Sequence, residues 1–154
     1  MDLVFNGLPD APVNREEIEN LPYATTRAKL GRSGWVVVVL GRYDGDLLHW
    51  ISADKITIVT HGGRIVRSAG LPENLVGTNF MNGDPLTQAG AWVTQDATSN
   101  RTTDLRPQNL FGIPVQATLA VEGTRQIEIT DRRYNTIQIS ERASVELLDW
   151  EFEN

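Results

Sequence analysis

The chain has 154 residues, enough for one domain with a real core, and its 40% hydrophobic and 22% charged content is ordinary for a globular protein. A net charge of −6 argues against sequence-independent nucleic-acid binding, which needs a basic face, and against electrostatic attachment of the domain to an anionic membrane. With no cysteine there is no disulfide framework, thiol nucleophile or thiolate metal site. No signal peptide and no membrane-spanning apolar run is visible; the longest such run, Trp35 to Leu40, is strand-sized.

Residues 1–14 hold Gly7, Pro9 and Pro12 without a period and read as an extended arm. Asn14 followed by Glu17 is a capping-box pattern, with Ile18 and Leu21 at helical spacing before Pro22, which predicts a short N-terminal helix. Residues 23–33 are expected to add another turn, ending near Gly31. From Gly34 the pattern turns to β. Trp35 to Leu40 reads as a strand buried on both faces. Asp44-Gly45 is a hairpin signal leading into Asp46 to Ser52, where Leu48 and Trp50 share one face.

Ile56 to His61 and Arg64 to Ser68 are separated by Gly62-Gly63, a two-residue loop of the kind that needs positive φ. That turn predicts the pairs His61–Arg64, Thr60–Ile65 and Val59–Val66. Ile56, Ile58 and Ile65 then share a face with Thr60 and Arg67, and a buried Arg67 would need an acid such as Asp54. Residues 35–69 therefore read as a four-stranded meander. Leu71 to Leu75 is expected to leave the sheet, with 72–90 as a long irregular segment of the sort that often carries function. Trp92 to Thr94 reads as a short strand and Arg101 to Leu105 as an edge strand.

The last third is a second β block. Val115, Ala117, Leu119 and Val121 alternate with polar or small residues, a half-buried strand with Pro114 near its start. Glu122-Gly123 is expected to turn the chain into Arg125 to Thr130, where Ile127 and Ile129 alternate. Thr136 to Ser140 repeats the alternation, and Ala143 to Phe152 continues as one strand. The fold class is all-β: an antiparallel meander forming a barrel-like or half-barrel domain with a short N-terminal helix, as a single domain over 1–154.

Trp50-Ile51-Ser52-Ala53-Asp54, then a strand ending in Thr60, then Gly63-Arg64-Ile65-Val66 and Gly70-Leu71, resembles the signature of the YjbF-type family. These are the GfcB/YmcC-like group 4 capsule polysaccharide lipoproteins of Gram-negative bacteria. The closing residues Tyr134, Ile137, Ser140-Glu141 and Asp149 to Asn154 are also similar to that family's last block, which there continues into a tryptophan-containing segment and a further strand. The resemblance implies an all-β barrel-like fold and a signal peptide with a lipid-bearing cysteine ahead of this chain. It also implies a place at the periplasmic face of the outer membrane, held only by that N-terminal lipid anchor. Its functional implication is a non-enzymatic accessory role in exopolysaccharide or capsule assembly or export, with polysaccharide or export-apparatus proteins as partners and no nucleic acid. The signature positions Trp50, Ser52, Asp54, Gly63, Arg64, Gly70 and Leu71 then have a structural or binding role.

For chemistry the residues offer little. His49 and His61 lie on consecutive strands without a metal-ligand spacing, so no metal and no cofactor is expected; His61 reads as a turn residue and His49 as a satisfied, partly buried one. The acids are scattered, mostly beside glycines or at strand ends, which leaves a polysaccharide hydrolase with loop carboxylates as an alternative, and no nucleophile elbow or Walker loop is present. Of the four tryptophans, Trp35, Trp50 and Trp150 read as core, and Trp92, after the long loop, is the candidate glycan contact. An exposed aromatic row would instead mark a carbohydrate-binding module.

Overall fold

The computed structural model describes residues 22–29, 35–87, 97–129, 132–148 and 150–153. The predicted arm, the predicted helix and Trp92 to Thr94 lie outside the described residues. Among the described residues ten strands form two five-stranded antiparallel sheets, each a simple meander curled into a half-barrel. The first holds β1 (Thr25–Lys29), β2 (Trp35–Asp44), β3 (Leu47–Ser52), β4 (Thr57–His61) and β5 (Arg64–Ala69) in that order. The second runs β10 (Trp150–Glu153), β9 (Arg132–Val145), β8 (Leu110–Ile129), β7 (Ala97–Arg106), β6 (Asn74–Phe80). The all-β class expected from the sequence is the one found.

The chain divides into two compact units, Met1–Thr78 with Asp104–Leu110, and Asn79–Thr103 with Phe111–Asn154. In the first, Ala28, Val38 and Ile58 form the core, and Val36, Trp50, Ile56, Ile65 and Leu71 pack on it. In the second, the buried row is Ile113, Val115, Ala117 and Leu119 on β8 with Ala143 and Val145 on β9. This is the alternation of a sheet with one solvated face.

Several expectations needed correcting. Residues 25–29 form strand β1 rather than a helical turn; Thr25-Thr26 favour a strand, and β2 supplies a complete partner, Thr25 to Lys29 against Val39 to Trp35. β2 is not buried on both faces: Val38 and Leu40 are inside, but Val37 is 47% exposed. Asn74 to Phe80, expected to be irregular, is strand β6, and β7 lies between β6 and β8 rather than at an edge. Glu122-Gly123 does not turn the chain. β8 runs on through a bulge there, because the pairing passes from Val121–Ile139 to Gly123–Gln138 and leaves Glu122 as the extra residue. The last predicted strand is broken by a 3₁₀ turn at Glu146–Leu148, which folds β10 back onto β9 and leaves Leu147 67% exposed.

A second bulge changes the central hairpin. Gly62 and Gly63 have φ of 55° and 85°, and His61–Arg64 and Thr60–Ile65 pair as that turn requires. The register then slips by one, so that Val59 faces Arg67 and Ile58 faces Ser68, not Val66 and Arg67. The slip puts Ser68 inside at 4% exposure and Arg67 outside. Arg67 therefore needs no buried acid. Gly63→Val should lower the melting temperature by about 3–6 °C, from about 1–2 kcal/mol of left-handed backbone strain alone, since nothing stands within 4 Å of an added Cβ. An unchanged melting curve would show that the turn is not what fixes the register.

Candidate functional site

Ser52, Asp54, Gly70 and Leu71 of the signature come together at one end of the first sheet, with Trp50 two residues up β3, while Gly63 and Arg64 lie at the opposite end, at the β4–β5 turn. Trp50 is paired with Ile58 across β3–β4, and its indole Nε1 donates to Thr60 Oγ1 at 3.0 Å. Ser52 is buried and ends β3. Its Oγ accepts from the Ile56 amide at 3.0 Å, its amide donates to Ile56 O at 2.9 Å, and its carbonyl accepts from Lys55 N at 3.0 Å. The Ser52 to Ile56 turn is thus closed three ways, with Lys55 at φ 63° and Asp54 exposed at its tip.

Gly70 has φ 83° and lies against this turn, so that a Cβ there would meet Lys55 O at 3.1 Å and Ile56 Cα at 3.2 Å. Leu71 follows, packed on the core, and Asn74 clamps it: Leu71 N donates to Asn74 Oδ1 at 3.0 Å, and Asn74 Nδ2 donates to Leu71 O at 2.8 Å. Ser68 Oγ accepts from Leu75 N at 2.9 Å, where β6 begins. Every one of these contacts is internal to the unit. Trp50, Ser52, Gly70 and Leu71 meet backbone or core here, while Asp54 is exposed; Gly63 is exposed at the β4–β5 turn, with Arg64 half-buried beside it.

The histidines share a face, since His49 pairs with Val59 and His61 with Leu47. His49 differs from expectation: its Nε2 is buried and has no hydrogen-bond partner among the described residues. Among those residues no group of His, Asp and Glu could hold a metal ion. Trp35 is half-buried with the Arg27 guanidinium 5.4 Å from its ring centroid. Trp92, the predicted glycan contact, lies outside the described residues, as does the Trp150 side chain. Asp84, in the segment expected to carry loop acids, is 4% exposed and accepts from Leu86 N at 3.1 Å, which is turn chemistry.

The concave feature that sequence reasoning missed lies on the solvated face of the second sheet. It is a groove of about 470 Å³ lined by Thr98 and Asn100 of β7, Gln116 and Thr118 of β8, Arg142 and Ser144 of β9, and Glu151 of β10. The register sets these side chains in rows. Gln116 pairs with Ser144, which pairs with Glu151 on its other side, and Thr118 pairs with Arg142. Three hydroxyls, two amides, a cation and a carboxylate thus face one concavity, whose volume falls in the range of small-ligand sites, about 300–1,000 Å³. The alternation of Val115 to Val121 places Gln116 and Thr118 on the solvent face, but the partners that make the groove come from β7, β9 and β10.

On the buried face opposite, Arg101 and Glu141 form an ion pair, Nη1 to Oε1 2.7 Å, with side chains 6% and 7% exposed. The Arg101 guanidinium lies 5.8 Å from the Phe80 ring centroid. Ser99 Oγ is buried nearby in sequence without a partner among the described residues. A hydrophobic-alternation argument does not anticipate a buried charge pair, and none was expected here.

The family model described as group 4 capsule polysaccharide lipoprotein gfcB, YjbF, matches residues 1–154. Among relatives, the uncharacterized lipoprotein GfcB of Escherichia coli (strain K12) is 34% identical over 80 residues, covering 52% of this chain and 37% of that protein. The uncharacterized lipoprotein YjbF of the same strain is 31% identical over 80 residues, 52% of this chain and 38% of that one. The matches thus span well under half the length of these relatives. The crystal structure of the hypothetical lipoprotein YmcC from Escherichia coli (K12) shares the fold, with a TM-score of 0.77 and 24% identity, covering 90% of this chain and 71% of that one.

Proposed function

The chain belongs to the YjbF family of group 4 capsule polysaccharide lipoproteins, and from that membership we propose that residues 1–154 act as one non-enzymatic accessory domain that contacts polysaccharide during capsule or exopolysaccharide assembly or export. The proposed location is the periplasmic face of the outer membrane, reached through a lipid anchor of the kind the relatives' descriptions name. The observation that carries the reading is the polar groove on the second sheet. A glycan presents hydroxyls on both faces of each ring, and rows of hydroxyl and amide side chains on strands about 4.8 Å apart offer both donors and acceptors at repeating positions. Arg142 and Glu151 put one charge of each sign in the lining. Carboxylate-driven glycoside hydrolysis needs two carboxyl groups about 5–9.5 Å apart, whereas among the described residues the groove lining contributes one, Glu151. Binding is therefore favoured over cleavage.

The test is titration calorimetry of the chain with purified group 4 capsule polysaccharide, for the parent and for Gln116→Ala/Thr118→Ala. Both side chains are solvent-facing, so the fold should be kept. Losing two hydrogen bonds at about 0.5–1.5 kcal/mol each should weaken binding about tenfold. A parent that ignores the glycan, or a variant that binds it equally well, removes the groove from consideration. Shortened glycan after incubation would move the hydrolase reading to first place.

A further inference from the structure

The distal half of the β8–β9 hairpin is a bare two-stranded ribbon. Thr124 to Ile129 and Arg132 to Asn135 are exposed throughout, on both faces. Two-stranded ribbons are marginal in water by themselves, yet this one also exposes large apolar side chains: Ile127 is 37% exposed, Ile129 52% and Tyr134 44%.

Their placement follows from the bulge at Glu122. Before it, the odd-numbered residues of β8, Val115, Ala117 and Leu119, point inward. An unbroken alternation would put Ile127 and Ile129 on that same inner face. After the bulge Gly123 pairs with the exposed Gln138, Ile127 pairs with Tyr134 and Ile129 with Arg132, so these residues continue the outer face. Ser140 Oγ donates to Glu122 Oε1 at 2.6 Å and holds the extra residue in place. The ribbon is consequently amphipathic. Its outer face carries Ile127, Ile129 and Tyr134 flanked by Arg125 and Arg132. Its other face carries Gln126 hydrogen-bonded to Asn135 and Glu128 ion-paired with Arg133 at 3.5 Å. Among the described residues of the ribbon, the one acid, Glu128, lies away from the apolar side.

We propose that this outer face is a membrane-contact surface, which seats Ile127, Ile129 and Tyr134 at the hydrocarbon boundary of an anionic phospholipid layer with Arg125 and Arg132 on its phosphates. Aliphatic side chains buried at the boundary, a tyrosine at headgroup depth and arginines beside them are the chemistry of interfacial binding. The net charge of −6 opposes attachment of the domain as a whole; this face is the local exception. A second copy fits less well, because a two-fold contact of the patch with itself would bring Arg125 and Arg132 of each chain toward those of the other. The family description as lipoproteins places a bilayer within reach, and the ribbon gives the tethered domain a second contact that fixes its orientation.

The experiment tethers the full chain, through an N-terminal polyhistidine tag, to nickel-chelating vesicles of phosphatidylethanolamine and phosphatidylglycerol, and follows amide hydrogen exchange. Amides of 124–129 and 132–135 should exchange at least about fivefold more slowly than in the untethered chain. Ile127→Ser/Ile129→Ser should lose that protection with an unchanged circular dichroism spectrum. Without the tether, each arginine of the pair changed to Gln should weaken vesicle partitioning about fivefold. Unchanged exchange on tethering overturns the proposal. So does protection that appears without vesicles as protein concentration rises, which would mean self-association.

Discussion

Arg101→Met is expected to destabilise the second unit by about 3–5 kcal/mol, because it leaves the Glu141 carboxylate buried without its guanidinium. Both groups are almost fully inside, at 6% and 5% residue exposure, and the 2.7 Å contact joins β7 to β9 across β8. In that setting the pair gains little over an apolar pair but costs much when broken, since the buried carboxylate loses its charged partner and gains no water in exchange. The double change Arg101→Met/Glu141→Leu should therefore recover most of the loss. Urea unfolding of the parent, the two single variants and the double variant gives the coupling directly. If Arg101→Met moved the midpoint no more than a surface substitution, about 0.5 kcal/mol or less, the pair would not be holding the strands.

The residues that made the fold legible were those whose local chemistry fixes geometry without help. Asp44-Gly45 and Gly62-Gly63 demand tight turns, and the Val115 to Leu119 alternation demands a sheet with one wet face, so two β blocks could be read directly. What stayed hidden has one physical origin: a bulge costs a single residue and leaves no mark in composition, but it reverses which side every later residue faces. One at Val59–Thr60 exchanged Arg67 for Ser68 in the interior. Another at Glu122 turned Ile127 and Ile129 outward and hid the continuity of a 20-residue strand. β6 was missed because Gly77 and two asparagines dilute its pattern. The candidate groove was invisible for a different reason. Its side chains are ordinary solvent-face residues from four strands, and only the pairing of β7 to β10 gathers them.

Gly70→Val should cost more than Gly63→Val, about 3 kcal/mol, and lower the melting temperature by about 6–12 °C. Two penalties act together there. The φ of 83° is left-handed, which a β-branched residue resists by about 1–2 kcal/mol. The added Cβ would also press on backbone, Lys55 O at 3.1 Å and Ile56 Cα at 3.2 Å, rather than on a flexible side chain. That backbone cannot move freely, because Ser52 holds the same turn through Ile56 N, Ile56 O and Lys55 N. Gly63 offers the control, sharing the φ strain without a neighbour. If contact with the turn matters, Gly70→Ala should destabilise more than Gly63→Ala by differential scanning calorimetry. Equal losses would mean that positive φ alone accounts for glycine at both positions. Unequal ones would show that the Ser-Ala-Asp turn and Gly70-Leu71 are one packed element, with Gly70 as the point where β5's exit closes over β3's end.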